Sequence, residues 1–155
     1  PSHAACAGRL NKTSKMTVNG FPPTQFQSFR QKTDSAQVAP RLKALRAEIA
    51  KAGLDAFLIP RADAHRGEQV PPGEARLAYV TGFTGSAGMA IVGPKRAGLF
   101  VDGRYTLQAP AETDARRVQV FEVPTTSIAA QIGRFVPKGG RAGYDPWLHT
   151  PQEIT

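Results

Sequence analysis

The sequence has few cysteines for disulfides, no long apolar run for a membrane helix and few histidines for a metal site. Its single cysteine, Cys6, cannot form an internal disulfide, so a disulfide-stapled fold is excluded. No apolar run approaches the roughly 20 residues of a membrane helix, and no secretory signal with an apolar core of about 7–15 residues is found. The histidines (His3, His65, His149) lie far apart and form no metal-ligand motif, so no metal site is predicted in this chain.

Half of the excess positive charge lies in the first 35 residues, which show little periodic structure. Residues 1–35 carry five basic residues and one acidic residue, a net charge of +4, and the other 120 carry 15 and 11, again +4. A nucleic-acid-binding face would gather its lysines and arginines on one folded element. We therefore predict a solvated basic surface and no nucleic-acid partner.

The pattern of residues divides the chain at residue 35. Residues 1–34 are small, polar and basic, with no helical or strand period, and predict a disordered basic leader. A translated extension explains this leader better than an organelle transit peptide does. From Ser35 onward, helical and strand patterns alternate, which indicates an α/β domain. The last of them, Thr150-Pro-Gln-Glu153, is a helix start two residues before the chain stops, so we expect the protein to continue beyond Thr155.

A glycine-rich run precedes a predicted hairpin. Gly82, Gly85 and Gly88 recur at every third position, and apolar strands follow at 89–92 and 97–101. The run matches neither the dinucleotide-binding nor the phosphate-loop fingerprint, so a structural turn is the better interpretation. Ser86 lacks the frame of a nucleophile elbow, which favours a loop hydroxyl over a catalytic one.

Arg104 is the strongest candidate for a binding residue. It follows a buried strand directly, and its planar fork of donors suits a carboxylate or a peptide carbonyl. The alternative is an internal brace between Asp102 and Arg104, and the residues alone leave both open.

The other candidates have plainer alternatives. Asp63 and His65 follow a strand end and are candidates for lining a cleft, but the residues alone favour Asp63 as a local backbone cap and His65 as a surface side chain. Phe83 and Tyr105 are expected to pack in the same region rather than to react. No nucleophile or general base is predicted.

Three motifs occur together in order: Asp63-Ala-His65, Thr81-Gly-Phe-Thr-Gly-Ser-Ala-Gly88 and Asp102-Gly-Arg-Tyr-Thr-Leu-Gln108. They resemble the N-terminal domain of the Xaa-Pro aminopeptidase P family, metallopeptidases related to prolidase and creatinase, over roughly residues 38 to 155. The resemblance implies a mixed sheet of five to six strands flanked by helices. It also implies that Arg104 reaches toward bound peptide, with Asp63, His65, Phe83 and Tyr105 lining the cleft more weakly.

The resemblance further implies a cytoplasmic, homodimeric enzyme that removes the N-terminal residue preceding proline from short peptides. A dinuclear manganese centre in a separate C-terminal domain would activate the water, so this chain alone is expected to be inactive. The domain would form part of the cleft wall and of the dimer contacts. Two alternatives stay open: the N-terminal domain of a prolidase or creatinase-type hydrolase, and a non-enzymatic protein-binding module with a peptidase-like fold.

Overall fold

The computed structural model describes residues 35–154, and the predicted leader lies outside the described residues. The helices are α1 (Val38–Lys51), α2 (Arg76–Thr81), α3 (Gln108–Glu112), α4 (Ile128–Gln131) and α5 (Pro151–Ile154). The strands are β1 (Ala56–Pro60), β2 (Met89–Val92), β3 (Ala97–Asp102), β4 (Val118–Val123) and β5 (Ala142–Gly143). Short 3₁₀ turns occupy Ser35–Gln37, Pro72–Glu74, Gly103–Tyr105 and Ile132–Arg134.

The strands form one mixed sheet in the order β4-β3-β2-β1-β5. Strand β2 is antiparallel to both of its neighbours, whereas β3 is parallel to β4 and β1 is parallel to β5. The strands β1, β3, β4 and β5 therefore all run in one direction, and β2 alone of the described strands runs in the other. The predicted α/β class, with a mixed sheet of five to six strands, is confirmed by this five-stranded sheet.

Helix α1 covers one face of the sheet through an apolar stripe. Val38, Leu42 and Ile49 recur at helical spacing and are buried. Gly53 ends this segment with a φ of +66°, a conformation that glycine adopts without steric cost. Helices α2 and α3 lie over the same face and contribute Leu77, Val80 and Ala109 to the same core.

Alternate residues of the strands face a second, aromatic core. In β3, Leu99 and Val101 point into the first core and Phe100 points into the second. Phe100 stacks on Phe121 with 4.8 Å between ring centroids, and Phe135 meets Phe121 edge-on at 6.1 Å. The segment that carries Phe135 has a helical spacing of apolar residues, Ile128, Ile132 and Phe135, but is not one continuous α-helix. It forms α4 followed by a 3₁₀ turn, and Gly133, a weak helix former, lies within that turn.

Candidate functional site

The strand directions bring the predicted site segments to one edge of the sheet. Pro60 pairs with Met89, and Met89 pairs with Phe100. Strands β1 and β3 therefore end at the same edge of the sheet, on either side of the start of β2. The 61–67 loop, the 82–88 loop and the turn after Asp102 all leave from this edge. We call it the carboxyl edge, because the parallel strands end there. Ligands of α/β sheets commonly bind outside such an edge.

Arg104 projects from the carboxyl edge and is braced by Asp102. The Asp102 carboxylate accepts the Arg104 backbone N–H at 2.9 Å, Nε at 3.0 Å and Nη2 at 2.7 Å. These hydrogen bonds lower the pKa of Asp102 and raise the pKa of Arg104, so both groups are charged. The Arg104 side chain is nevertheless 66% exposed. The brace therefore orients the guanidinium without burying it.

Tyr105 joins this turn to the glycine-rich loop. Its hydroxyl lies 2.5 Å from Ser86 Oγ and accepts the Ser86 backbone N–H at 3.1 Å. The hydrogen bond with Ser86 lowers the pKa of the Tyr105 phenol. The ring meets Phe83 edge-on at 5.3 Å, and the Arg104 guanidinium lies 5.2 Å from its centroid. Phe83 is only 1% exposed, so it packs beneath the loop.

Glu112 holds the same loop from the other side, and sequence reasoning missed it. Its carboxylate accepts the Thr84 backbone N–H at 2.7 Å and the Thr84 hydroxyl at 2.8 Å. Gln108 donates to the same carboxylate at 3.0 Å and to Thr84 Oγ1 at 3.2 Å. The loop is therefore fixed by α3 on one flank and by Tyr105 on the other.

Asp63 has a local structural role, and His65 is exposed. Asp63 is 4% exposed, and its Oδ1 accepts the backbone N–H groups of Gly67 at 2.9 Å and His65 at 3.0 Å. The bond from Gly67 is the main cause of the lowered pKa of Asp63. Within residues 35–154, no hydrogen bond or ion pair joins Asp63 or His65 to the Asp102–Tyr105 turn. The 61–67 loop and the Asp102–Tyr105 turn therefore share an edge of the sheet without a polar bond between these side chains.

Arg66 is a second residue that sequence reasoning did not single out. It has a φ of +54°, and its guanidinium binds both oxygens of Glu153, each at 3.0 Å, and the Leu148 carbonyl at 3.2 Å. Glu153 Oε2 also accepts the Thr150 backbone N–H at 2.8 Å. This is the hydrogen bond from the cap residue to the acid three residues later in a capping box, at the helix start predicted from the sequence. This clamp ties the loop after β1 to the start of α5.

Acidification should weaken the Arg66–Glu153 clamp. The hydrogen bonds from Arg66 are the main reason that the pKa of Glu153 is lowered from 4.5 to about 2. A carboxyl whose folded-state pKa is depressed contributes stability above its ordinary value, and that contribution is lost as the pH falls through the folded value. We expect the Tm difference between wild type and Glu153→Gln to be largest near neutral pH, to shrink below pH 4.5 and to vanish only below about pH 2.

The expected Tm difference is small because the side chains of Arg66 and Glu153 are partly exposed to solvent. The two side chains are 42% and 37% exposed, so solvent screens the pair and a difference of about 2–4 °C is expected near neutral pH. Glu68→Gln, at an exposed carboxylate in the same loop, is the control and should match wild type at every pH. A Tm difference for Glu153→Gln that stays constant from neutral pH down to pH 3 would contradict the assignment.

An apolar groove of about 600 Å³ lies between α1, α2 and β1. Its walls include Leu45, Phe57, Ile59, Val80 and Leu148. None of the five predicted site residues lines it. The groove is therefore a feature separate from the Arg104 turn.

The described residues do not supply a metal centre. Within residues 35–154, no group of three or more histidine, cysteine or carboxylate side chains could hold a metal ion. In the same range, no helix is both long and apolar enough to cross a bilayer.

Residues 35–154 thus form a small α/β domain that presents a braced, exposed arginine at the carboxyl edge of a mixed sheet. The family model of the Creatinase/Prolidase N-terminal domain matches residues 41–154, and the chain belongs to this family. The resemblance drawn from the three motifs is thereby confirmed.

Relatives in this family are much longer proteins. Human Xaa-Pro aminopeptidase 2 is 42% identical over 107 residues, which are 69% of this chain and 16% of that protein. Aminopeptidase P2 of Arabidopsis thaliana is 43% identical over 100 residues, 62% of this chain and 14% of that protein. The structure of Caenorhabditis elegans X-prolyl aminopeptidase, a cytosolic enzyme with a di-nuclear active site, matches with a TM-score of 0.68 and 26% identity, covering 76% of this chain and 21% of that one. The chain spans about a fifth or less of their length.

Proposed function

We propose that this chain is the non-catalytic N-terminal domain of a Xaa-Pro aminopeptidase, which removes the N-terminal residue preceding proline. Family membership and the identity to human Xaa-Pro aminopeptidase 2 and to Aminopeptidase P2 of Arabidopsis thaliana support this assignment. In this proposal the domain forms part of the wall of the peptide cleft, and short proline-containing peptides are the substrates.

The observation that carries the proposal is the geometry of Arg104. Asp102 occupies Nε and Nη2, so the guanidinium is held in one orientation while its other edge faces solvent. Nη1 donates no hydrogen bond within the described part of the chain. A pre-oriented donor of this kind binds a peptide carbonyl or carboxylate without first losing side-chain freedom. Tyr105 and Phe83 then act by fixing the loop beside it.

The reacting groups would come from the rest of the enzyme. The C. elegans relative has a di-nuclear active site, and no corresponding donor set exists within residues 35–154. A dinuclear manganese centre would supply an activated water when bound. Residues of this chain would bind and orient the peptide and carry out no step of hydrolysis. We also propose a cytoplasmic location, supported by the cytosolic C. elegans enzyme, and a homodimer with contacts through this domain.

Replacing Arg104 should weaken substrate binding in the enzyme that carries this domain. We expect Arg104→Ala to lower kcat/KM for a Xaa-Pro tripeptide by about tenfold, mainly through KM, because one charged hydrogen bond worth about 1.5 kcal/mol is lost. Steady-state kinetics with the metal content measured in parallel would test this.

Arg116→Ala is the matched control. Arg116 forms the same Asp-x-Arg brace with Asp114, with Nε at 3.2 Å from the carboxylate, and its side chain is 89% exposed. We expect this variant to keep the wild-type KM. An unchanged KM in Arg104→Ala, with wild-type metal content and Tm, would remove Arg104 from the cleft.

A further inference from the structure

The opposite edge of the sheet, where β3 and β4 begin, gathers basic residues that lie far apart in the sequence. Val92 pairs with Ala97, and Ala97 pairs with Val118. Arg96 and Arg117 therefore stand side by side, immediately before the first paired residues of two adjacent strands. Adjacent strands lie about 4.8 Å apart. Lys95 protrudes from the exposed hairpin turn next to them.

Helix α1 adds another guanidinium to this edge. Arg46 Nε donates to the carbonyl of Gly93, in the same hairpin turn, at 2.9 Å. Partial burial and the charge of Arg117 both lower the pKa of Arg46. Arg46 and Arg117 are thus close enough to repel each other, which is unfavourable unless an anion lies nearby.

The carboxylates at this place are too few to balance the charge. Asp114 is shared by Arg116 at 3.2 Å and Arg117 at 3.9 Å. Lys95 and Arg96 are exposed and form no ion pair with any residue in the range 35–154. Together these side chains make up a basic patch of five cations around one carboxylate: Arg46, Lys95, Arg96, Arg116 and Arg117.

The excess is greatest on this half of the edge. On the half formed by β1 and β5, Glu48 pairs with Lys51 at 2.7 Å, and Asp55 accepts the Arg141 backbone N–H at 2.8 Å. Two carboxylates lie on that half, whereas the basic patch has one. The basic patch is therefore a local feature and not an average consequence of the net charge.

We propose that the basic patch is a docking surface for an acidic polypeptide segment. Most of its cations are arginines, whose forks bind carboxylates in pairs. The patch extends over roughly 10–15 Å, the width of three or four strands, which suits a short run of carboxylates. This extent is small for a nucleic-acid partner, because even a single DNA-binding module buries about 600–1,000 Å².

The surroundings of the patch argue against other polyanions. Its cations stand on turns and on the side of one helix, and no helix presents them together for a DNA groove. The strongly exposed aromatic residues of the described chain, Tyr79 and Trp147, lie on α2 and after β5, so they do not offer stacking to a single-stranded nucleic acid here. They are likewise not placed to anchor this patch in a membrane surface.

Binding of a labelled polyglutamate peptide to the 155-residue chain tests the proposal. We expect the double variant Lys95→Ala/Arg96→Ala to weaken binding by about fivefold or more, and added salt to weaken wild-type binding. The control is Lys51→Ala/Lys138→Ala, which removes the same charge from exposed positions outside the patch. It should bind as wild type does. Thermal melts of all variants would establish that each is folded.

The competing explanations give different results. Equal weakening in both double variants would attribute binding to net charge and overturn the docking surface. Patch-dependent binding of duplex DNA, or of vesicles containing phosphatidylserine, that is tighter than binding of polyglutamate would overturn the choice of an acidic polypeptide. Absence of measurable polyglutamate binding at low salt would also contradict the proposal.

Discussion

Gly85→Ala should lower the free energy of unfolding by about 3 kcal/mol. A Cβ atom at this position would lie 2.1 Å from Cζ of Phe83, and two further atoms of that ring lie within 3.0 Å. Phe83 is 1% exposed and cannot move outward without leaving a cavity. The loop cannot shift easily either, because Glu112 holds Thr84 and Tyr105 holds Ser86. Overpacking of this kind costs about 1–3 kcal/mol, and the rigid surroundings place it at the upper end.

Two further variants make this prediction specific. Gly73→Ala is the control, because a Cβ there meets no atom within 4 Å, and its stability should stay within about 0.5 kcal/mol of wild type. In a Phe83→Leu background the clash is smaller, so Gly85→Ala should cost less than it does alone. Chemical denaturation of wild type, the three single variants and the Phe83→Leu/Gly85→Ala double variant would measure this. Equal costs in the two backgrounds would show that the Phe83 ring is not what excludes a side chain at Gly85.

Leu42→Ala should also cost about 3 kcal/mol. Leu42 is fully buried at the centre of the apolar stripe of α1 and belongs to the core that this helix shares with the sheet. Removing a buried leucine side chain loses its transfer free energy and leaves a cavity, for a total of about 2–5 kcal/mol. Urea denaturation followed by circular dichroism would give the value.

The neighbouring residue supplies the control. Lys43→Ala changes an exposed position of the same helix and replaces lysine with a slightly better helix former. Its effect should stay within about 0.5 kcal/mol. If Leu42→Ala were as mild as Lys43→Ala, α1 would not be anchored through its buried stripe.

Local patterns were sufficient to predict most of the fold. The stripe of α1, the hairpin of β2 and β3 and the capping box at Thr150 each involve residues a few positions apart. Their spacing reports directly on the period of a helix or a strand. The shape of the segment that leads to Phe135 was less predictable, because a glycine within a helical pattern leaves the type of helix open.

The contacts that fix the candidate site could not be predicted in this way. Glu112 and Thr84 are 28 residues apart, and Arg66 and Glu153 are 87 apart. No period in the sequence connects such pairs, which meet only because the sheet order brings their loops together. The basic patch has the same origin, since Arg46, Arg96 and Arg117 converge through the pairing of strands and the position of α1. The sequence indicated Arg104 because it directly follows a buried strand, and the contact with Asp102 was open to prediction because the two are only two residues apart.

We propose that this domain binds the peptide and that the rest of the enzyme cleaves it, and one experiment tests this directly. The purified 155-residue chain, supplied with manganese, is incubated with a Xaa-Pro tripeptide, and release of the first residue is followed by mass spectrometry beside the longer enzyme. We predict release by the longer enzyme and none by the chain alone, because in our proposal Arg104 binds the peptide and the groups that cleave it lie elsewhere in the enzyme. Release that scales with the concentration of the chain, and disappears when a chelator is added, would contradict this account.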